Sequence, residues 1–174
     1  MKKNGIFERI RSVFNEITGK NRIGKFDLGV LQTMMMLAAV DGDITDGEIS
    51  GFREAASRCS GYNSESFDSL CEKTLRSAGY LLLLTRFLPR EKIIDAFVRE
   101  AEKPFTREVA VDTDENRANA LDSLKRMAEA DGVFSDIERD CVNALTQRVE
   151  TLHELETAAR ISRATYFDPF APNL

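Results

Sequence analysis

The chain has 174 residues, 43% of them hydrophobic and 30% charged, with only four prolines and ten glycines. A chain of this size can bury about two-thirds of its unfolded surface in one core, and this composition excludes a disordered protein. The net charge of -5 hides an asymmetry: residues 1–25 carry seven basic side chains (Lys2, Lys3, Arg9, Arg11, Lys20, Arg22, Lys25) against Glu8 and Glu16, so a +5 end leads a -10 body. Such a body repels nucleic-acid phosphate, and no nucleic-acid partner is expected. Cys59, Cys71 and Cys141 are an odd number at wide spacings within helical patterns, which points to reduced thiols in a cytoplasmic protein rather than to disulfides or zinc. The longest apolar run, Tyr80 to Leu84, is too short to span a bilayer, and the N-terminus lacks a signal-peptide core.

In chain order, Ile6, Phe7, Ile10, Val13, Phe14 and Ile17 recur every three to four residues and predict an amphipathic helix with a basic opposite face, ending near Thr18-Gly19. That stripe fits both a helix docked on a bundle and one in peripheral contact, through residues 1–25, with an anionic membrane or a membrane protein. A polar link, Lys20 to Lys25, leads to a second helix from about Asp27 with the stripe Leu28, Leu31, Met35 and Ala38, stopping at Asp41-Gly42. The next helix starts with Thr45 and carries Ile49, Phe52, Ala56 and Cys59. Ser64 opens a fourth with Phe67, Leu70, Leu75 and Ala78, and the near-uniformly apolar Leu81 to Leu88, after Gly79, is expected to form a helix buried on most sides.

Pro89 suits a first helical turn, followed by Ile93, Ile94, Phe97, Val98 and Ala101. Glu102 to Asp112 reads as a loop between two halves. Asp114 reopens helix with Ala118, Leu121, Leu124 and Met127 inward, up to Asp131-Gly132; Ile137, Cys141, Leu145 and Val149 follow, and the pattern continues to about Ala164. The tail from Tyr166 to Pro172 has three aromatics and two prolines and reads as an extended strap. The expected architecture is all-α: a single helical bundle of about seven to eight helices, with the basic N-terminal helix and link over 1–22, the helical domain over 23–164 and the tail over 165–174.

One phrase is written twice, ninety positions apart. Asp41-Gly42-Asp43-Ile44-Thr45-Asp46-Gly47-Glu48 recurs as Asp131-Gly132-Val133-Phe134-Ser135-Asp136-Ile137-Glu138. Each copy follows an apolar helix, so each is a helix-to-helix corner, and the repetition implies an internal pseudo-twofold duplication that brings two carboxylate clusters together. Gly42 and Gly132 suit the left-handed position that closes a helix. Thr45 with Glu48, and Ser135 with Glu138, have capping-box spacing. Ile44 and Phe134 can staple the helix start, with Ile49 a suitable partner in the first copy and Arg139 a poorer one in the second. Asp46 and Asp136 complement the helix dipole. Asp41 and Asp131 oppose it by ~0.3–1 kcal/mol, and either turn N–H groups or a bound cation shared with Asp43, Glu48 and their counterparts would offset that. An EF-hand is excluded, because its sixth and twelfth positions would be Asp46 and Phe52, and Val133 fails at the third position of the second copy.

The two corners, with the basic amphipathic segment, the link ending Lys25-Phe26 and the helix leading to Asp41-Gly42, resemble the tellurite-resistance TerB family over about residues 6–150. The resemblance implies an all-helical bundle with internal pseudo-twofold symmetry, an acidic surface suspected of binding metal, and a recruiting or sensing role in bacterial stress modules or beside co-chaperones. By motif the matching residues are Asp41, Glu48, Asp131 and Glu138, and Val133 in place of a second Asp43 argues against a symmetric binuclear site. The metal candidates are therefore Asp41, Asp43, Glu48, Asp131, Asp136 and Glu138, for a divalent cation of unassigned identity.

An enzyme is not expected, since there is no Gly-rich phosphate loop, His153 is the single histidine, and no cysteine has a histidine nearby in sequence. Met34-Met35-Met36 point in three directions and cannot converge on a soft metal; two are expected in the core. The leading expectation is a cytoplasmic stress-response module with a cation at its corners and protein partners on its surface. The alternative is a purely structural interaction or co-chaperone-type domain.

Overall fold

A computed structural model of the chain describes residues 23–59, 62, 67–129, 132 and 134–165. The helix predicted over residues 6–17 and the strap after 165 lie outside the described residues. Among those described, seven α-helices and one π-helical turn run in the order α1 (Lys25–Ala38), α2 (Asp46–Arg58), α3 (Phe67–Leu84), α4 (Arg90–Ala101), the π turn (Glu102–Thr106), α5 (Arg107–Ala110), α6 (Asp114–Ala128) and α7 (Asp136–Thr165), with no strand. The all-α expectation holds. No helix among the described residues is long and apolar enough to cross a membrane.

The core is organised around α1, which packs against α2, α3, α6, α7 and the π turn. Every residue from 33 to 40 is buried, so the end of this helix is enclosed on all sides. All three methionines, Met34, Met35 and Met36, are therefore core, one more than the sequence reading allowed. Thr33, buried among them, keeps its hydroxyl bonded by donating to the Gly29 carbonyl at 3.0 Å.

The helix expected to be surrounded, Leu81 to Leu88, is not. α3 runs without a break through Gly79 to Leu84 and gives way to turns, leaving Leu83 54% and Phe87 75% exposed. The buried stripe of α3 is Leu70, Thr74, Ala78 and Leu81, so Thr74 takes the inward place assigned to Leu75. Its hydroxyl reaches the Leu70 carbonyl at 2.9 Å, which removes the penalty of a buried polar group. On α6, Leu124 and Met127 are buried as expected, whereas Ala118 is exposed and Ala120 is buried in its place.

The expected loop from Glu102 to Asp112 is instead the π turn and α5, with Phe105, Val109 and Ala110 buried. Glu102, Lys103 and Pro104 read as a break because proline cannot donate to a helical ladder. A single wide turn accommodates it within an otherwise continuous helix. The Thr106 hydroxyl donates to the Ala101 carbonyl, five residues back, at 3.3 Å. The turn lies directly on α1: a Cβ at Gly29 would fall 1.9 Å from the Pro104 carbonyl oxygen, so only glycine permits this approach.

Candidate functional site

The two corners share backbone chemistry. Gly42 N–H donates to the Ala39 carbonyl at 3.3 Å, and Gly132 N–H to the Glu129 carbonyl at 3.0 Å, the same three-residue closure displaced by ninety positions. Both glycines adopt positive φ, +100° and +81°, as their place in the phrase predicts. In the first corner Thr45 Oγ1 accepts from Glu48 N–H at 3.2 Å while Glu48 Oε2 accepts from Thr45 N–H at 2.7 Å, completing a capping box. The second corner repeats it, with Ser135 Oγ accepting from Glu138 N–H at 3.3 Å and Glu138 Oε2 accepting from Ser135 N–H at 2.9 Å.

The staples differ as their residues require. Ile44 and Ile49 are both half-buried and packed on the core. Opposite them, Arg139 lies 5.4 Å from the centre of the Phe134 ring and donates to the Phe134 carbonyl at 3.2 Å. The arginine thus replaces an apolar staple by a cation–π contact, a substitution not anticipated from the sequence. It also donates to Asp136 Oδ1 at 2.7 Å, so that exposed carboxylate has a cationic partner on its own helix.

The six candidate residues are placed differently. Glu48 and Glu138 are 4% and 2% exposed, among the very few buried ionisable side chains described. Asp41 and Asp43 are exposed; Asp41 Oδ1 accepts the Asp43 N–H at 3.1 Å and Asp43 Oδ1 accepts the Ile44 N–H at 2.8 Å. The Asp43 N–H thus partly offsets the charge of Asp41 just beyond α1. Asp131 lies outside the described residues. Asp136 is held by Arg139.

Electrostatics nevertheless joins the corners. Burial pushes the Glu48 carboxyl up to about 7; bonds from the Thr45 backbone and hydroxyl oppose the shift, and the charges of Glu138 and Asp41 add to it. Glu48 from the first corner thus lies within reach of the charge on Glu138 from the second. Cys141, buried one turn after Glu138, has its thiol pushed up to about 12, chiefly by burial and then by the charges of Asp140 and Glu138, which makes it a poor nucleophile.

Two neighbours of the corners carried no signal in the sequence. Thr85, just after α3, has its Oγ1 3.2 Å from where a Cβ on Gly42 would stand. Arg90, at the start of α4, donates to the Asp136 carbonyl at 2.8 Å and to Asp140 Oδ2 at 2.5 Å. Thr85, from the connection after α3, therefore faces the first corner, and Arg90, opening α4, holds the helix that follows the second; Phe87 lies between them in sequence and is exposed. His153, far along α7, has Nδ1 2.9 Å from the Ala110 carbonyl oxygen and 3.0 Å from the Arg117 guanidinium, a packing role between helices. Comparison with protein-family models, with curated proteins and with solved structures gave no significant match.

Proposed function

We propose that the chain is a non-enzymatic TerB-like module of the tellurite-resistance type, acting in the bacterial stress response, with acidic corners that bind a divalent cation and a surface that recruits protein partners. The observation that carries this reading is the pair of buried carboxylates, Glu48 and Glu138, one from each corner, with the charge of Glu138 opposing ionisation of Glu48. Their shared position in two copies of one phrase also supports an internal duplication. A cation between like charges relieves the repulsion that protonation otherwise relieves, so proton and cation compete for the pair. The donors are all oxygen, which suits a hard ion such as magnesium, manganese or calcium better than zinc. No group of three His, Cys, Asp or Glu side chains among the described residues is arranged to hold an ion, so water supplies much of the coordination and binding is weak. Exposed Leu83 and Phe87, at the end of α3 and just after it, offer the apolar surface that a protein partner needs.

The second reading, a structural interaction or co-chaperone-type domain without metal, is favoured by a different observation. One oxygen of each glutamate is engaged in a capping box and Asp41 holds its own turn. Thermal unfolding at pH 8, in chelator and with millimolar magnesium, manganese, calcium or zinc, separates the two. A bound ion at 100 times its dissociation constant adds about 2.7 kcal/mol, and Glu48→Gln should abolish that gain. Unfolding temperatures identical in chelator and in all four ions would leave the structural reading.

A further inference from the structure

A groove of about 650 Å³ runs between α1, α2 and α6, and none of the candidate metal carboxylates lines it. Its floor is apolar, from Val30, Leu31, Met34 and Met127. Its wall on α2 presents Gly47, Gly51 and Ala55, spaced four residues apart and therefore on one face, where the lack of side chains lets another backbone come close. We propose that this groove is the seat of the chain's own residues 6–17, the segment bearing Ile6, Phe7, Ile10, Val13, Phe14 and Ile17.

Chain length and position single out this occupant. Phe26 and Asp27, at the start of α1, line the groove, so the preceding chain begins at its mouth. Eight residues separate Ile17 from Phe26, a reach of up to about 30 Å when extended. The 13-residue α2 is only about 20 Å long, so the segment can fold back along its whole length. Charge agrees. Glu54 with Arg58, and Asp122 with Arg126, are ion pairs four residues apart that neutralise the rim. The Asp27 carboxylate is left with no hydrogen bond or ion pair among the described residues, and burial holds its pKa above the ordinary value. Lys20 and Arg22 follow the stripe directly and supply the missing positive charge.

The test uses the full chain with Gly51→Leu, with Ile10→Asp plus Phe14→Asp, and with all three changes. Leucine favours a helix over glycine, so on an open groove Gly51→Leu raises the unfolding temperature. Beneath a seated helix it lowers it. The expected result is a fall in the otherwise unaltered chain and a rise once Ile10 and Phe14 are aspartate. A rise in both, or a fall in both, would overturn the proposal. Cys59 lines the same groove and supplies a second reading. In a Cys71→Ser background, N-ethylmaleimide should label it at least tenfold faster when the two aspartates are present, with buried Cys141 unlabelled as the check against global unfolding. An unchanged rate would place the segment elsewhere. Loss of binding to phosphatidylserine vesicles on introducing the aspartates, with unfolding temperature and labelling unmoved, would show a membrane-surface segment instead.

Discussion

Glu48 carries a direct consequence at the scale of one side chain. Its carboxyl titrates near 4.5 when exposed and about 7 in the fold, so the native state holds the proton more tightly than the unfolded chain does. The stabilisation from protonated Glu48 is complete below pH 4.5 and is lost as pH rises towards and through 7, by a limit on the order of 3 kcal/mol. Glu48→Gln should flatten that stretch of the pH–stability curve, measured by urea unfolding between pH 4.5 and 8, because glutamine still accepts the Thr45 N–H but carries no charge. A curve of unaltered slope would show that Glu48 is not the group responsible. Asp41 separates charge from hydrogen bonding. Asp41→Asn keeps the acceptor for Asp43 N–H and should hold stability within ~0.5 kcal/mol at pH 7. Asp41→Ala removes the acceptor and should cost about 1 kcal/mol. The same unfolding measurement ranks them, and equal losses would mean that the turn does not depend on this bond.

Elements impose a different kind of constraint, visible in three glycines. Gly29→Ala drives a methyl group to 1.9 Å from backbone at Pro104, which only a shift of the π turn against α1 can relieve; overpacking of this kind costs about 1–3 kcal/mol or more. Gly42→Ala combines positive φ with a 3.2 Å approach to Thr85, whereas Gly132→Ala has positive φ but open space. The left-handed backbone alone costs about 1–2 kcal/mol, so thermal unfolding should rank the losses Gly29 above Gly42 above Gly132. This ranking also marks what was legible beforehand. Both corner glycines announced themselves, because a cap depends on residues three or four apart. Gly29 did not, since its constraint comes from Pro104, seventy-five residues away. The π turn was hidden for a related reason: Pro104 signals a break locally, and burial of Phe105 and Val109 overrides it. Leu81 to Leu88 and the end of α1 exchanged roles because apolar content alone does not say which helix the others surround. At the candidate site, the hydroxyl and glutamate of each cap were readable from spacing, while the contacts of Thr85 and Arg90 with the corners come from another part of the chain.

At the scale of the whole molecule, the fold's consequence is that residues ninety positions apart share one electrostatic environment. Helix α1 contacts both α2 and α7, and α2 contacts α6, so the two corner helices cannot be treated as separate hairpins. Mutations at Glu48 and Glu138 should therefore not be additive. At pH 8 without cations, either Glu→Gln change relieves the same mutual repulsion, and the double variant gains it only once. The double should fall short of the summed single effects by on the order of 1 kcal/mol. At pH 4, with Glu48 protonated, that coupling should vanish. A saturating divalent cation reverses the sign of the cycle: each single variant forfeits the ion's stabilisation, the double forfeits it once, and the double is then less destabilised than the sum. Urea unfolding of the four proteins at pH 4, at pH 8 in chelator, and at pH 8 with manganese measures all three cases. Coupling at pH 8 that disappears at pH 4 but keeps its sign in manganese would establish the paired carboxylates as a proton-sensitive feature and remove the cation from the account. No coupling under any condition would mean that the corners, although repeated, act as independent caps.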